Sequence, residues 1–258
     1  MVNDSLDAEG IGVVMKTIKQ VGKQIGLILV LLGILLVLWE LPHHDRNYLS
    51  HQERTAQLGT NLPPYEVKTF LRHIETRLPS YREEFQEAEK KSGISWMLLA
   101  AMAYQESQWN HKAVSPTGVR GIMMLTRSTA SDLGIKNRLD PSKSIAGGAR
   151  YLSYLQKRVP DHIRMPDRMF IALAAYNVGM GHINDARLLA ERLGKNSNQW
   201  EDIKSILPLL AHKEYYQDLP HRYARGWEPV KYVKRIRAYR NILQQVVKRE
   251  GKSSQVDI

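Results

Sequence analysis

The sequence predicts an all-α protein: a single globular domain with at most a minimal β-hairpin, preceded by an apolar N-terminal transmembrane helix. Three observations support this fold class. Phe70, Ile74 and Leu78 are spaced four residues apart, which places them on one face of a helix. Residues 170–176, FIALAAY, lie in a second, more apolar helical segment. No pair of strand-like segments longer than a hairpin occurs along the chain.

Each predicted helix has its own boundary signals. Pro79 ends the first helix, Ser95 is an N-cap candidate for the helix of residues 96–107, and Gly179 or Gly181 ends the helix that Pro166 and Asp167 begin. The further helices are predicted at residues 128–133, 144–158, 185–193, 200–210 and 228–248. Residues 110–126 predict a folded loop or small hairpin, and the Gly147–Gly148 pair predicts two closely packed helices.

Composition narrows the class of partner. The chain has 258 residues with 43% hydrophobic and 24% charged content, which is ordinary for a globular protein. Its 37 Lys and Arg against 26 Asp and Glu give a net charge of +11, which favours an anionic partner such as nucleic acid, phospholipid or an acidic polymer. The absence of cysteine excludes disulfides and thiolate metal sites. With no HExxH or comparable spacing, we expect no metal and no cofactor.

The N-terminal segment predicts a membrane anchor. Residues 25–39 read IGLILVLLGILLVLW without a charge, and three lysines precede them. A cleaved signal peptide and a buried core helix are the alternatives, but the leader is long, no A-x-A-like cleavage site follows, and no amphipathic period is visible. The predicted divisions are a cytoplasmic leader (1–24), a signal-anchor (25–41), a tether outside the cytoplasm (42–64), a globular domain (65–250) and a tail (251–258).

Glu106 is the first candidate for chemistry. It lies near the end of WMLLAAMAYQES, residues 96–107, where an apolar environment and the negative end of the helix dipole both disfavour the carboxylate. A raised pKa suits general-acid catalysis on a glycosidic oxygen. A solvated helix end is the alternative interpretation of the same feature.

A long stretch without acidic residues follows Glu106. Residues 107–131 contain no Asp or Glu, whereas ordinary glycosidases need two carboxylates. A lone acid suffices where the substrate supplies its own nucleophile, as a muramyl sugar does when its C6 hydroxyl attacks C1. The alternative is that a distant part of the chain supplies a second carboxylate.

An ordered set of motifs carries a family resemblance. YQES is followed by SPTGVRG (115–121), MMLT (123–126), GGARYL (147–152), ALAAYN (172–177), LPLL (207–210) and YARG (223–226), and then by Tyr232-Val233. This set resembles the soluble-lytic-transglycosylase family, which has a lysozyme-like helical fold, and within it the catalytic module of the F-type membrane-bound murein enzymes. The resemblance covers roughly residues 69–243.

The resemblance implies a role for each matching residue. Glu106 matches the single acid/base, which protonates the oxygen between N-acetylmuramic acid and N-acetylglucosamine and then deprotonates the C6 hydroxyl to form a 1,6-anhydro ring. The implied substrate-binding residues are Ser115, Met123 (lining the cleft), Tyr176, Asn177, Glu228 and Tyr232. Plain alternatives exist for three of these: Met123 as a core residue, Asn177 as a helix-end residue, and Glu228 as an acid suited to a helix N-terminus.

The implied function is a lytic transglycosylase that acts on peptidoglycan glycan strands, anchored in the inner membrane by one span with its catalytic domain in the periplasm. A muramidase-type hydrolase and a non-catalytic peptidoglycan-binding module are the alternatives. Nucleic acid is not an expected partner, because no recognition motif for it is present. Two features depart from the family pattern. Met124, the residue after Met123, replaces a glutamine that many family members have at this position. Before the globular domain we expect only the tether, whereas F-type enzymes carry a solute-binding-like domain there.

Overall fold

Ten α-helices and two short 3₁₀ helices follow one another in residues 60–253, the part of the chain that the computed structural model describes. The α-helices are α1 (Pro64–Thr76), α2 (Arg82–Ser92), α3 (Trp96–Ser107), α4 (Arg127–Asp132), α5 (Pro141–Arg158), α6 (Asp167–Val178), α7 (Met180–Arg192), α8 (Trp200–Ile206), α9 (Lys213–Tyr216) and α10 (Trp227–Ser253). The 3₁₀ helices are Leu78–Tyr81 and Leu207–Ala211. The all-α prediction is confirmed for these residues.

Two apolar helices, α3 and α6, form the centre of the domain. The eight buried residues of α3 include the whole run from Leu98 to Tyr104, because the helix has no charged side chain before Glu106 to face solvent. The long helix α10 packs against both α3 and α6. Contacts of α2 with α3 and α5, and of α5 with α6, cover other sides of the two central helices.

An aromatic cluster joins α1, α3 and α10. The ring of Phe70 lies 4.5 Å from that of Tyr104, 4.7 Å from that of Tyr239 and 5.5 Å from that of Trp109. The Trp109 indole donates a 2.8 Å hydrogen bond to the carbonyl oxygen of Ala100, so this buried ring has its polar group satisfied. The cluster fixes α10 against the C-terminal half of α3.

The segment between α3 and α4 folds into a tight loop without strands. Isolated β-bridges pair Val114 with Arg120 and Arg120 with Leu125. Arg138 crosses behind the loop, where one guanidinium nitrogen lies 2.9 Å from the carbonyl oxygens of both Gly118 and Leu125. This is the minimal hairpin that the sequence allowed.

The glycine pair of α5 does permit a close approach, but not between two helices. A Cβ atom on Gly148 would lie 2.5 Å from the Cε of Met123, and one on Gly147 would lie 2.2 Å from the Cδ1 of Ile135. Both partners belong to the chain between α3 and α5, so the prediction of helix–helix packing is wrong in its partner. The small residues admit the loop onto α5.

Several predicted boundaries differ from the structure. Helix α7 begins at Met180 and not at residue 185, and the side chain of Ser95 makes no capping hydrogen bond although the residue occupies the N-cap position. Helix α10 continues to Ser253, into the predicted tail. The predicted leader, signal-anchor and most of the tether lie outside the described residues. Among the helices that are described, none is long and apolar enough to cross a membrane.

Gly121 provides a test of the loop geometry. Its φ is +85°, and a Cβ atom there would lie 1.8 Å from the carbonyl oxygen of Arg138. Gly134 has a similar φ of +69°, but a Cβ atom added there would meet open space. We expect Gly121→Ala to lower the free energy of unfolding by about 3 kcal/mol and Gly134→Ala by only about 1 kcal/mol, because the first adds a backbone clash to the conformational strain. Denaturant unfolding of both variants measures this, and equal losses would contradict the loop structure.

Candidate active site

Glu106 lies in the last turn of α3, where this helix meets α10. The helix ends at Ser107, and the next residue, Gln108, adopts a left-handed conformation with φ of 52°. Tyr232 of α10 donates its hydroxyl to Oε1 of Glu106 over 2.5 Å. The residue is partly buried, and one oxygen of its carboxyl group is held by the protein. This is the arrangement expected of an acid that exchanges protons with a bound substrate.

The surroundings of Glu106 change its protonation. Burial raises the pKa of its carboxyl group to about 7, and the hydrogen bond from Tyr232 opposes that rise because it stabilises the anion. No second carboxylate is among the causes of the shift. A substantial fraction of Glu106 is therefore protonated at neutral pH, as a general acid requires.

Two tyrosines face Glu106 and remain neutral. Burial and the nearby Glu106 raise the pKa of both Tyr176 and Tyr232 well above the ordinary value for a phenol. Tyr232 is only 5% exposed, so its hydroxyl donates to Glu106 in a setting with little competition from water. Of these three groups, Glu106 therefore titrates near neutral pH, while the two phenols keep their protons.

Tyr176 connects α6 to the loop that follows α3. Its hydroxyl donates a 2.9 Å hydrogen bond to the carbonyl oxygen of Met123, and its ring lies 5.2 Å from that of Tyr151 on α5. The Met123 side chain is fully buried against Gly148. The expected cleft-lining role therefore does not fit this side chain, and Met123 instead contributes its backbone carbonyl to the framework of the site.

Ser107, the residue after Glu106, makes hydrogen bonds to two backbone carbonyl groups. Its Oγ lies 2.9 Å from the carbonyl oxygen of Ile122 and 3.2 Å from that of Ala103. The hydroxyl thus links the end of α3 to the loop, next to Met123. Ser107 of α3 and Tyr176 of α6 thus donate to neighbouring carbonyl oxygens of the same loop, those of Ile122 and Met123.

Three other predicted site residues make no hydrogen bond to Glu106 in the described structure. Ser115 Oγ accepts from the Val119 amide and lies 2.9 Å from the Thr117 hydroxyl, within its own turn. Glu228, in the first turn of α10, pairs with Arg225 at 3.0 Å. Asn177 is exposed at the end of α6. Their roles in substrate binding stay predictions.

A polar network that the sequence motifs do not reveal lies beside Glu106. Arg235 of α10 donates to Gln105, the residue before Glu106, and to Glu66 of α1. Helical spacing gives a partial signal, because Arg235 follows Tyr232 by three residues and so lies on the same face of α10. Nothing in the local sequence marks Glu66. Within the described residues no cluster of three or more His, Asp or Glu side chains is placed to hold a metal ion.

Comparison with known proteins gives a consistent result. Residues 83–199 match the family described as Transglycosylase SLT domain. The chain is 53% identical over 207 residues to "Membrane-bound lytic murein transglycosylase F" of Marinobacter nauticus, across 80% of this chain and 40% of that protein. It is 56% identical over 179 residues to "Membrane-bound lytic murein transglycosylase F 1" of Alkalilimnicola ehrlichii, across 69% of this chain and 36% of that protein. The chain thus spans about two fifths of the length of these curated relatives.

Among solved structures, the 70 kDa soluble lytic transglycosylase of Escherichia coli is similar to this chain. The match covers 65% of this chain and 24% of that protein, with 24% sequence identity and a TM-score of 0.48. The match by sequence is much stronger than this partial match by structure. Over residues 83–199 the chain belongs to the transglycosylase SLT family.

Proposed function

We propose that the chain is a peptidoglycan lytic transglycosylase, which cleaves the β-1,4 bond between N-acetylmuramic acid and N-acetylglucosamine and leaves a 1,6-anhydro-N-acetylmuramic end. The names of relatives more than 50% identical to it support this substrate class. The observation that carries the proposal is Glu106, a single carboxyl group with a pKa raised to about 7.

The pKa shift of Glu106, to which no second carboxylate contributes, favours a particular class of reaction. Glycosidases that use two carboxylates hold them about 5 to 10 Å apart, one as the acid and one as the nucleophile or base. Here burial and Tyr232 account for the pKa shift of Glu106 without a second acid. A nucleophile supplied by the substrate satisfies the chemistry with one protein acid, which is what ring closure by the C6 hydroxyl does.

In the first step, protonated Glu106 gives its proton to the bridging oxygen, and the C1–O bond breaks as positive charge develops on the muramyl ring. The N-acetylglucosamine portion leaves with its hydroxyl restored. The Tyr232 hydroxyl, which donates to Oε1, stabilises the new carboxylate and leaves Oε2 as the proton donor.

In the second step, the Glu106 carboxylate accepts the proton of the C6 hydroxyl while that oxygen bonds to C1. The 1,6-anhydro ring closes, Glu106 regains its proton, and no water is consumed. A pKa near 7 suits both steps, because the same group must be an acid before bond cleavage and a base after it.

The other predicted site residues have supporting roles in this proposal. Tyr176, Asn177 and Ser115 contact the saccharide, and Glu228 lies one turn before Tyr232 at the start of α10. The backbone carbonyl of Met123 keeps Tyr176 in place. We place the domain in the periplasm, attached to the inner membrane by a single span, and the words "membrane-bound" in the relatives' names support that location.

Product analysis tests the proposed reaction. Purified sacculi digested with the wild-type protein should release fragments with 1,6-anhydro ends, and Glu106→Gln should lower the rate by about a thousandfold because the amide cannot transfer a proton to the bridging oxygen. Glu201→Gln, at an exposed residue of α8, is the matched control and should keep full activity. Mass spectrometry separates the outcomes: reducing ends would indicate a muramidase, and full activity of Glu106→Gln would refute the mechanism.

The raised pKa also predicts a pH-dependent stability. Between pH 4.5 and about 7 the folded protein keeps a proton on Glu106 that the unfolded chain releases, so this carboxyl group lowers stability as pH rises through that range. Glu106→Gln removes the effect. We expect the free energy of unfolding of the variant to match that of the wild type near pH 4. At pH 8 we expect it to be higher by about 1 to 3 kcal/mol, a range that allows for the partial exposure of Glu106 to solvent.

Urea unfolding of both proteins at the two pH values measures the difference, with Glu201→Gln as the control at an exposed carboxylate. A difference that stays constant between pH 4 and pH 8 would show that Glu106 titrates in its ordinary range.

A further inference from the structure

Arg235 forms the most extensive side-chain network of the site region. Its Nε donates to Gln105 Oε1 over 2.8 Å, its Nη1 donates to Glu66 Oε1 over 3.0 Å, and its Nη2 lies 2.8 Å from Glu66 Oε2. Nη2 also donates to the Tyr239 hydroxyl over 2.6 Å. One guanidinium group on α10 is therefore hydrogen-bonded to α1, to α3 and to its own helix.

These contacts run beside the contact between the acid and its tyrosine. Gln105 and Glu106 are neighbours in α3, and Arg235 and Tyr232 lie less than one turn apart on α10. Two neighbouring hydrogen bonds thus join α10 to α3, one from Arg235 to Gln105 and one from Tyr232 to Glu106. A movement of α10 that breaks the first hydrogen bond also displaces the second.

The ion pair is shielded enough to hold a fixed geometry. The side chains of Arg235 and Glu66 are 22% and 15% exposed, and both carboxylate oxygens engage the guanidinium. Such two-point pairs fix orientation, since the planar fork accepts a carboxylate in few arrangements. Neither Glu66 nor Arg235, nor Tyr232, lies within residues 83–199 that match the family.

We propose that Arg235, held in place by Glu66, is a positioning residue that sets α10 against α3 so that the Tyr232 hydroxyl meets Glu106. The proposal rests on the proposed role of Glu106 as the acid. It gives α1, the first helix of the described domain, a function in catalysis through a contact with α10.

The neighbours of Glu106 and Arg235 determine how a titration of Glu106 is interpreted. Glu106 faces Tyr232 of α10 and Tyr176 of α6, and both phenols stay neutral because their pKa values are raised well above the ordinary value. Arg235 faces Glu66 of α1 and the uncharged Gln105 of α3, and burial raises the pKa of its third partner, Tyr239, to about 12. Between pH 5 and pH 9, a change in the titration of Glu106 therefore reports on its own surroundings.

Two substitutions of opposite charge distinguish positioning from simple electrostatics. Arg235→Met removes a positive charge and Glu66→Gln removes a negative one, so a direct charge effect would raise the pKa of Glu106 in the first variant and lower it in the second. Positioning predicts a rise in both, by about 0.5 to 1 pH unit, because both loosen the Tyr232 hydrogen bond that lowers this pKa. NMR titration of the Glu106 side-chain carbon measures the shift without any substrate.

Kinetics and a double-mutant cycle complete the experiment. With sacculi as substrate, we expect kcat to fall about tenfold to a hundredfold in both variants with little change in KM. Tyr232→Phe should raise the pKa of Glu106 by itself, and adding Arg235→Met to it should give no further rise. Arg237→Met is the control: Arg237 lies on the same helix over the Phe170 ring, and its loss should leave the titration of Glu106 unchanged.

The possible results are distinct. Shifts in opposite directions for Arg235→Met and Glu66→Gln would overturn the proposal in favour of a charge effect, and a wild-type titration in both would reduce the network to a stabilising contact. Should Arg235→Met fail to fold, Glu66→Gln alone decides by the sign of its shift. Because the titration needs no activity, a protein that yields no anhydro products refutes the proposed function while leaving the positioning result readable.

Discussion

The partial burial of one carboxyl group is the constraint on which the rest of the site depends. Glu106 ends an apolar helix, and its loss of hydration raises its pKa to about 7. A protein that buries such a group needs a hydrogen-bond donor that stabilises the carboxylate but does not itself transfer a proton to it. Tyr232 meets that need, since a phenol donates a hydrogen bond while its own proton stays in place at neutral pH.

The remaining architecture holds that pair together. The aromatic cluster around Phe70 packs α10 onto α3, Ser107 attaches the end of α3 to the following loop, and Tyr176 attaches the same loop to α6. Together these contacts fix α10, α6 and the loop after α3 around Glu106. The acid therefore has a defined environment even though the loop that follows it has no regular secondary structure.

Much of this follows from the sequence, and the reasons for the failures are physical. Spacing and composition predict the helices and mark Glu106, because burial of a helix leaves a periodic or wholly apolar pattern. The sequence left open whether Met123 lines the cleft or fills the core, since the two kinds of methionine look alike in sequence, and in the structure its side chain is buried. The ion pair of Glu66 with Arg235 joins residues 169 positions apart, and no local pattern reports such a contact.

The distance along the chain between Glu106 and its tyrosine has a consequence for synthesis. The two residues are 126 positions apart, and Tyr232 lies near the C-terminal end of the folded domain. A growing chain exposes Glu106 long before α10 exists, and an exposed carboxyl group keeps its ordinary acidity and is ionised at neutral pH. The acid therefore becomes competent only when the last helix docks. On the proposed mechanism, a nascent or C-terminally truncated chain therefore lacks a functional acid until α10 has folded against α3.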